Sequence, residues 1–97
     1  MAMPIYRHLE GDHVVVHFEV EMPGQDGPVC IAGDWNEWQP EPMTRDGSDR
    51  YRTSVVLAPG ASYRFRYLLA DGTWTNDFTA DDFVENPYGG YDAMIRL

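Results

Sequence analysis

Apolar side chains recur at every second position along most of this chain, and no other feature of the sequence restricts its fold as much. On a pleated strand, successive residues point to opposite faces, so a period of two marks a strand with one buried face. Val14, Val16, Phe18 and Val20 share one such face, and Val29, Ile31, Gly33 and Trp35 form a second series. Tyr51, Thr53, Val55 and Leu57 form a third. Tyr63, Phe65, Tyr67 and Leu69 form a fourth, with Ser62, Arg64 and Arg66 pointing the other way. The last series sets Tyr91, Ala93, Ile95 and Leu97 against Asp92, Met94 and Arg96. No window carries apolar residues at i, i+3, i+4 and i+7 over the length a helix needs.

Turn chemistry separates these series at Gly11-Asp12, Gly24 to Gly27, Asp46 to Asp49, Pro59-Gly60, Asp71-Gly72 and Pro87 to Gly90. Proline presets the first φ of a type II turn and glycine accepts the positive φ that follows, which fits Pro59-Gly60. Asp71-Gly72 carries the signature of a two-residue type I′ hairpin, with both central residues at positive φ. Short strands at this spacing predict an all-β chain of about seven strands, folded as a two-sheet sandwich or a small barrel. The 97 residues suffice for one modest core, so 1–97 reads as one domain, with 1–11 as an N-terminal extension or an extra strand.

Sixteen acidic residues against seven basic ones give a net charge of −9, a field that repels phosphate backbones and anionic membranes. Nucleic acid and membrane are therefore not expected as partners. No apolar run approaches the roughly 20 residues of a membrane span, and the N-terminus lacks a secretory h-region. A single cysteine, Cys30, cannot form an internal disulfide. Together these features lead us to expect a cytoplasmic protein.

The usual carriers of catalysis are sparse. His13 and His17 share one predicted strand, four residues and about 13 Å apart along it, too far to hold one metal. No serine lies in a nucleophile elbow, and Cys30 has no partner in the sequence pattern. Asp77, Asp81, Asp82 and Glu85 crowd one segment, but the spacing of this 77–85 loop matches no EF-hand and reads as solvated acids. A pair of carboxylates could serve a glycosidase only within a cleft that so small a domain has little room to build. The chain is thus expected to be no enzyme and to use no cofactor or metal.

Tryptophan is more informative. Trp35 falls on an inward series and reads as core. Trp38 sits in the polar stretch Gly33-Asp34-Trp35-Asn36-Glu37-Trp38-Gln39-Pro40, and Trp74 follows the Asp71-Gly72 turn among polar neighbours. Two readings are open: these indoles cap the ends of the core, or they form a contact surface. The second suits a sugar, whose C–H face stacks on aromatic planes while its hydroxyls meet polar groups. Arg66 and Asp92, both on outward sides of strands, could supply charge-assisted hydrogen bonds to such a rim.

These residues also carry a family likeness. Val29-Cys30-Ile31-Ala32-Gly33-Asp34-Trp35-Asn36-Glu37-Trp38 resembles the strand-and-turn signature of family 48 carbohydrate-binding modules. Tyr63 through Trp74 resembles the hairpin of that family, and Asn86-Pro87-Tyr88-Gly89-Gly90-Tyr91-Asp92 its closing loop. The family includes the isoamylase early-set domains and the glycogen-binding domain of the AMP-activated protein kinase beta subunit, and the likeness spans residues 12–97. It implies an immunoglobulin-like (early-set) sandwich, no catalytic residues, and non-catalytic binding of glycogen- or starch-type α-1,4-glucan in a shallow aromatic site.

By this resemblance Trp38 and Trp74 are the stacking pair, Arg66 stands where the family commonly has lysine, and Asp92 where glycogen binders place asparagine. Tyr88 falls near an apolar residue that reaches into the glucan. Arginine keeps the charge but changes the donor geometry, and aspartate gives up the amide donors. The expected partner is an α-glucan or maltooligosaccharide. The alternative is a protein-docking or accessory domain for a glycogen-metabolising enzyme, without sugar binding.

Overall fold

The computed structural model describes residues 5–25, 27–47, 49–77 and 79–97. They form ten strands: β1 (Tyr6–Glu10), β2 (His13–Glu21), β3 (Cys30–Gly33), β4 (Glu41–Pro42), β5 (Thr44–Asp46), β6 (Arg50–Leu57), β7 (Ser62–Leu68), β8 (Trp74–Thr75), β9 (Asp82–Glu85) and β10 (Tyr91–Arg96). Seven are four residues or longer; β4, β5 and β8 are short additions at sheet margins. One sheet has the order β1-β2-β6-β5, and the other β4-β3-β7-β10-β9 with β8 beside β7, all neighbours antiparallel. The chain is an all-β, immunoglobulin-like two-sheet sandwich.

The alternation builds the core, except that Tyr91, on the inward series of the last strand, is exposed. Val14, Val16, Phe18 and Val20 of β2, with Tyr51 and Leu57 of β6, meet Ile31, Phe65, Tyr67, Ala93 and Ile95 of the facing sheet, all of them buried. Each large side chain taken fully out of water contributes about 1.5 to 3 kcal/mol before the entropy of ordering is counted. The segment expected to be an extension or an extra strand supplies β1, whose five residues are all exposed. Arg7 ties this edge strand across the sandwich: its Nη1 donates to Asp81 Oδ2 at 2.8 Å and to Arg96 O at 2.9 Å.

Two local expectations are corrected. Trp35 does not continue the strand of Ile31 and Gly33: β3 ends at Gly33, and Trp35 lies in a short 3-10 turn, Asp34–Asn36. Its ring folds back over Gly33, where a Cβ would stand 2.8 Å from the indole and 2.7 Å from Arg64 O. From that turn it still reaches inward, 5.4 Å from Phe18 and 6.0 Å from Phe65 between ring centroids.

The Asp71-Gly72 turn is not type I′, because only Gly72 of the pair has positive φ, at 88°. Gly72 N donates to Leu69 O and Leu69 N to Thr73 O, the pattern of a three-residue hairpin closed by a glycine bulge. Asp71 accepts instead from Thr73 N at 2.9 Å, which stabilises the longer turn, and hydrogen bonds from the Thr73 side chain first and its backbone N–H second lower the carboxyl's pKa. Gly60 does adopt the positive φ that a type II turn asks of it, at 78°. Among the described residues no helix is long and apolar enough to cross a membrane.

Candidate functional site

The site exists because one sheet forks. Ala93↔Phe65 is the last rung between β10 and β7. Beyond it β7 pairs through Tyr67↔Thr75 and Leu68↔Trp74 with β8, while β3 keeps its other flank. The backbone groups of β10 left behind by the fork are taken by one side chain. Asn76 Oδ1 accepts from Ala93 N at 3.1 Å, and Asn76 Nδ2 donates to Tyr91 O at 2.8 Å. The next residue, Asp77, is wholly buried and accepts from Tyr67 Oη at 2.6 Å and from Thr79 N at 2.9 Å. Burial first, and the Asp77 carboxylate second, push the Tyr67 phenol well above its ordinary range. β8 and its Trp74 are thereby fastened on both sides.

Trp38 approaches from the β3–β4 connection. Its backbone φ is 60° and that of Glu37 is 56°, a left-handed pair costly for non-glycine residues and worth noting where it presents an aromatic ring. Trp38 N donates to Gly33 O at 3.0 Å and Trp38 Nε1 to Asp34 Oδ1 at 3.0 Å. The centroids of Trp38 and Trp74 lie 6.4 Å apart with planes inclined at 59°. Neither indole belongs to the core cluster: Trp74 is exposed and Trp38 half-buried.

Both rings line an open cleft of about 660 Å³ together with Asp34, Arg64, Arg66, Asn86, Pro87, Tyr88 and Asp92. All five residues singled out from the sequence therefore meet in one place. Tyr88, at the tip of the β9–β10 loop, is 94% exposed. Arg66 Nε stands 3.9 Å from Asp92 Oδ1, and Arg66 Nη2 lies 3.5 Å from Trp74 O. Asp92 differs from its expected place on an open rim: it is buried at the cleft floor, accepting from Asn86 Nδ2 at 3.2 Å. The reason is the loop above it, folded by Asn86 Oδ1, which accepts from Tyr88 N and Gly90 N.

Sequence reasoning passed over Asp34, Arg64 and Asn86 as cleft residues. Arg64 was legible, since it shares the outward face of β7 with Arg66. Asn86 and Asp34 lie inside the motifs quoted above, but their hydrogen bonds depend on loop geometry that no spacing reveals.

The acids of the 77–85 loop go to separate partners. Asp81 is held low first by Arg7, and Asp82 first by the backbone N–H of Phe83 and then by Arg96. Among the described residues no three metal-ligating side chains converge. His17 Nδ1 lies 2.7 Å from Ser54 Oγ on the outer face of the four-stranded sheet, stacked on His8 at 5.2 Å, and His13 pairs with Asp12. A second, smaller concavity of about 500 Å³ lies beside His17, away from the tryptophans. Burial pushes the Cys30 thiol up, against the direction that makes a nucleophile.

No protein-family model matches the sequence, and no curated protein does. Solved structures do. The fold resembles the enterobactin esterase of Shigella flexneri in the presence of 2,3-dihydroxy-N-benzoyl-serine, with a TM-score of 0.77 at 13% identity over 97% of this chain and 32% of that one. The enterochelin esterase of the same organism, and its enterobactin esterase in the presence of enterobactin, each give a TM-score of 0.70 at 15% identity. This chain spans about a third of the length of those proteins. At such identity the likeness is one of fold alone: an immunoglobulin-like β-sandwich, carrying here an aromatic cleft at a sheet fork.

Proposed function

We propose that this chain is a non-catalytic module of the family 48 carbohydrate-binding type, holding glycogen- or starch-type α-1,4-glucan in the forked-sheet cleft. The observation that carries the reading is the Trp38–Trp74 pair, two indoles 6.4 Å apart and inclined at 59° in one open cleft. Two planes set at such an angle suit a chain that curves from one sugar ring to the next better than a flat ribbon, which would need coplanar rings. Arg64 and Arg66 present donors to ring hydroxyls, and Tyr88 adds an exposed aromatic edge. Asp92 acts by holding Asn86 and facing Arg66, so its part in binding is to set the floor of the cleft.

Few contacts in an open cleft imply a weak site, with Kd about micromolar to millimolar. Affinity electrophoresis through gels containing glycogen tests the reading. Retardation that Trp38→Ala and Trp74→Ala abolish supports it, and migration equal to that in plain gel overturns it. The lone cysteine supports a cytoplasmic setting as part of the same proposal.

The match to a third of longer esterases favours a second reading, an accessory domain that docks beside a catalytic partner and binds no sugar. Under it the same tryptophans are interface anchors. The gel distinguishes the two, since only the first requires glycogen retention.

A further inference from the structure

We infer that Asp34 is the positioning residue of the cleft: it fixes the plane of Trp38 and removes that indole's N–H from ligand recognition, leaving the ring face as its contact. Both carboxylate oxygens of Asp34 are committed. Oδ1 accepts from Trp38 Nε1 at 3.0 Å, and Oδ2 accepts from the backbone N of Arg64 at 2.8 Å. The side chain thus bridges the ring of a loop residue to β7, the strand that carries Arg66 toward the same cleft.

That bridge answers a specific need. Glu37 and Trp38 both occupy the left-handed region, where a loop without glycine gains nothing from its own backbone. The connection has other ties: Asn36 Oδ1 accepts from Gly33 N, and Asn36 Nδ2 donates to Glu41 Oε1 at 2.9 Å. These hold the main chain and leave the indole free to turn about its side-chain torsions. Among the described residues the bond to Asp34 is the one hydrogen bond to the ring itself, beside its contact with the Trp74 ring, and a bond to an ionised acceptor is among the stronger kinds.

The inference rests on the glucan reading for its purpose but not for its test. In ¹H–¹⁵N spectra of the 97-residue chain, the Trp38 Nε1–H resonance is expected downfield and slow to exchange with solvent. Asp34→Ala should move it upfield and speed its exchange by about tenfold or more, the loss of one charge-assisted hydrogen bond. Asp34→Asn keeps one acceptor oxygen for the two donors, so its Trp38 Nε1–H exchange should fall between those of the wild type and Asp34→Ala, and unchanged core amide shifts identify variants that remain folded. Added maltoheptaose should shift Trp38 ring-carbon resonances more than its Nε1–H.

A Trp38 Nε1–H that exchanges equally fast in the wild type and in Asp34→Ala overturns the inference, as does an Nε1–H shift on adding maltoheptaose larger than those of the ring carbons. If maltoheptaose moves no resonance at all, the glucan reading falls, while the exchange comparison still decides whether Asp34 holds the ring.

Discussion

Replacing Tyr67 by phenylalanine removes one hydroxyl from the interior, and the structure sets the size of the effect. Tyr67 and Asp77 are both fully buried, and the phenol donates to Asp77 Oδ2 at 2.6 Å. Without that donor a charged oxygen stays in a dry interior, while the Thr79 backbone N–H and hydroxyl donate to Oδ1. Hydrogen bonds to charged groups contribute about 1.5 to 3 kcal/mol, and full burial places this one in the upper half, at about 2 to 3 kcal/mol. For a domain of this size that is about 10 to 20 °C in Tm.

The same substitution has a pH signature. Because the folded phenol titrates well above its ordinary 10.0, its contribution is complete below that pH and is lost as pH rises beyond it. The wild type should therefore lose stability above about pH 10, and the gap to Tyr67→Phe should narrow there. Thermal unfolding followed by near-ultraviolet circular dichroism from pH 7 to 11 reads both effects. A Tm change under about 3 °C at pH 7 would refute the claim that Asp77 needs this donor.

Asn76→Ala frees two backbone groups of β10 at the fork and should cost about 1 to 2 kcal/mol, with faster amide exchange at Ala93 as the local sign. Unaltered exchange at Ala93 would mean that the fork holds without its side-chain clamp. Arg7→Ala unties the edge strand from Asp81. Since Arg7 lowers the Asp81 pKa, this contribution is present above the ordinary carboxylate range and lost as pH falls through it. Urea midpoints of wild type and Arg7→Ala should accordingly differ at pH 7 and converge toward pH 2.

The sandwich was readable because burial on one face of a strand imposes its own period, and Val14 to Val20 and Tyr63 to Leu69 carry that period without interruption. The breaks were readable too, since glycine at positive φ leaves a mark in the sequence. What escaped was set by tertiary geometry. Trp35 keeps the alternation yet leaves the strand, because its ring needs the space over Gly33. At Asp71-Gly72, the carboxylate's bond to Thr73 N selected a longer turn than the dipeptide implied. Trp38, Trp74, Arg66, Asp92 and Tyr88 could be named in advance, but the fork that gathers them depends on Asn76, an ordinary polar residue in a loop. Asp92 shows the same limit: the outward side of a strand is exposed only until a loop folds over it.

The central claim is that the inclined indole pair is a sugar site. Isothermal titration of the wild type, Trp38→Ala and Trp74→Ala with maltoheptaose tests it most directly, with thermal unfolding run alongside to confirm that each variant is folded. We expect saturable binding with Kd about micromolar to millimolar, weakened at least tenfold by either substitution. No heat of binding at millimolar ligand, or binding that persists unchanged in both variants, would contradict it.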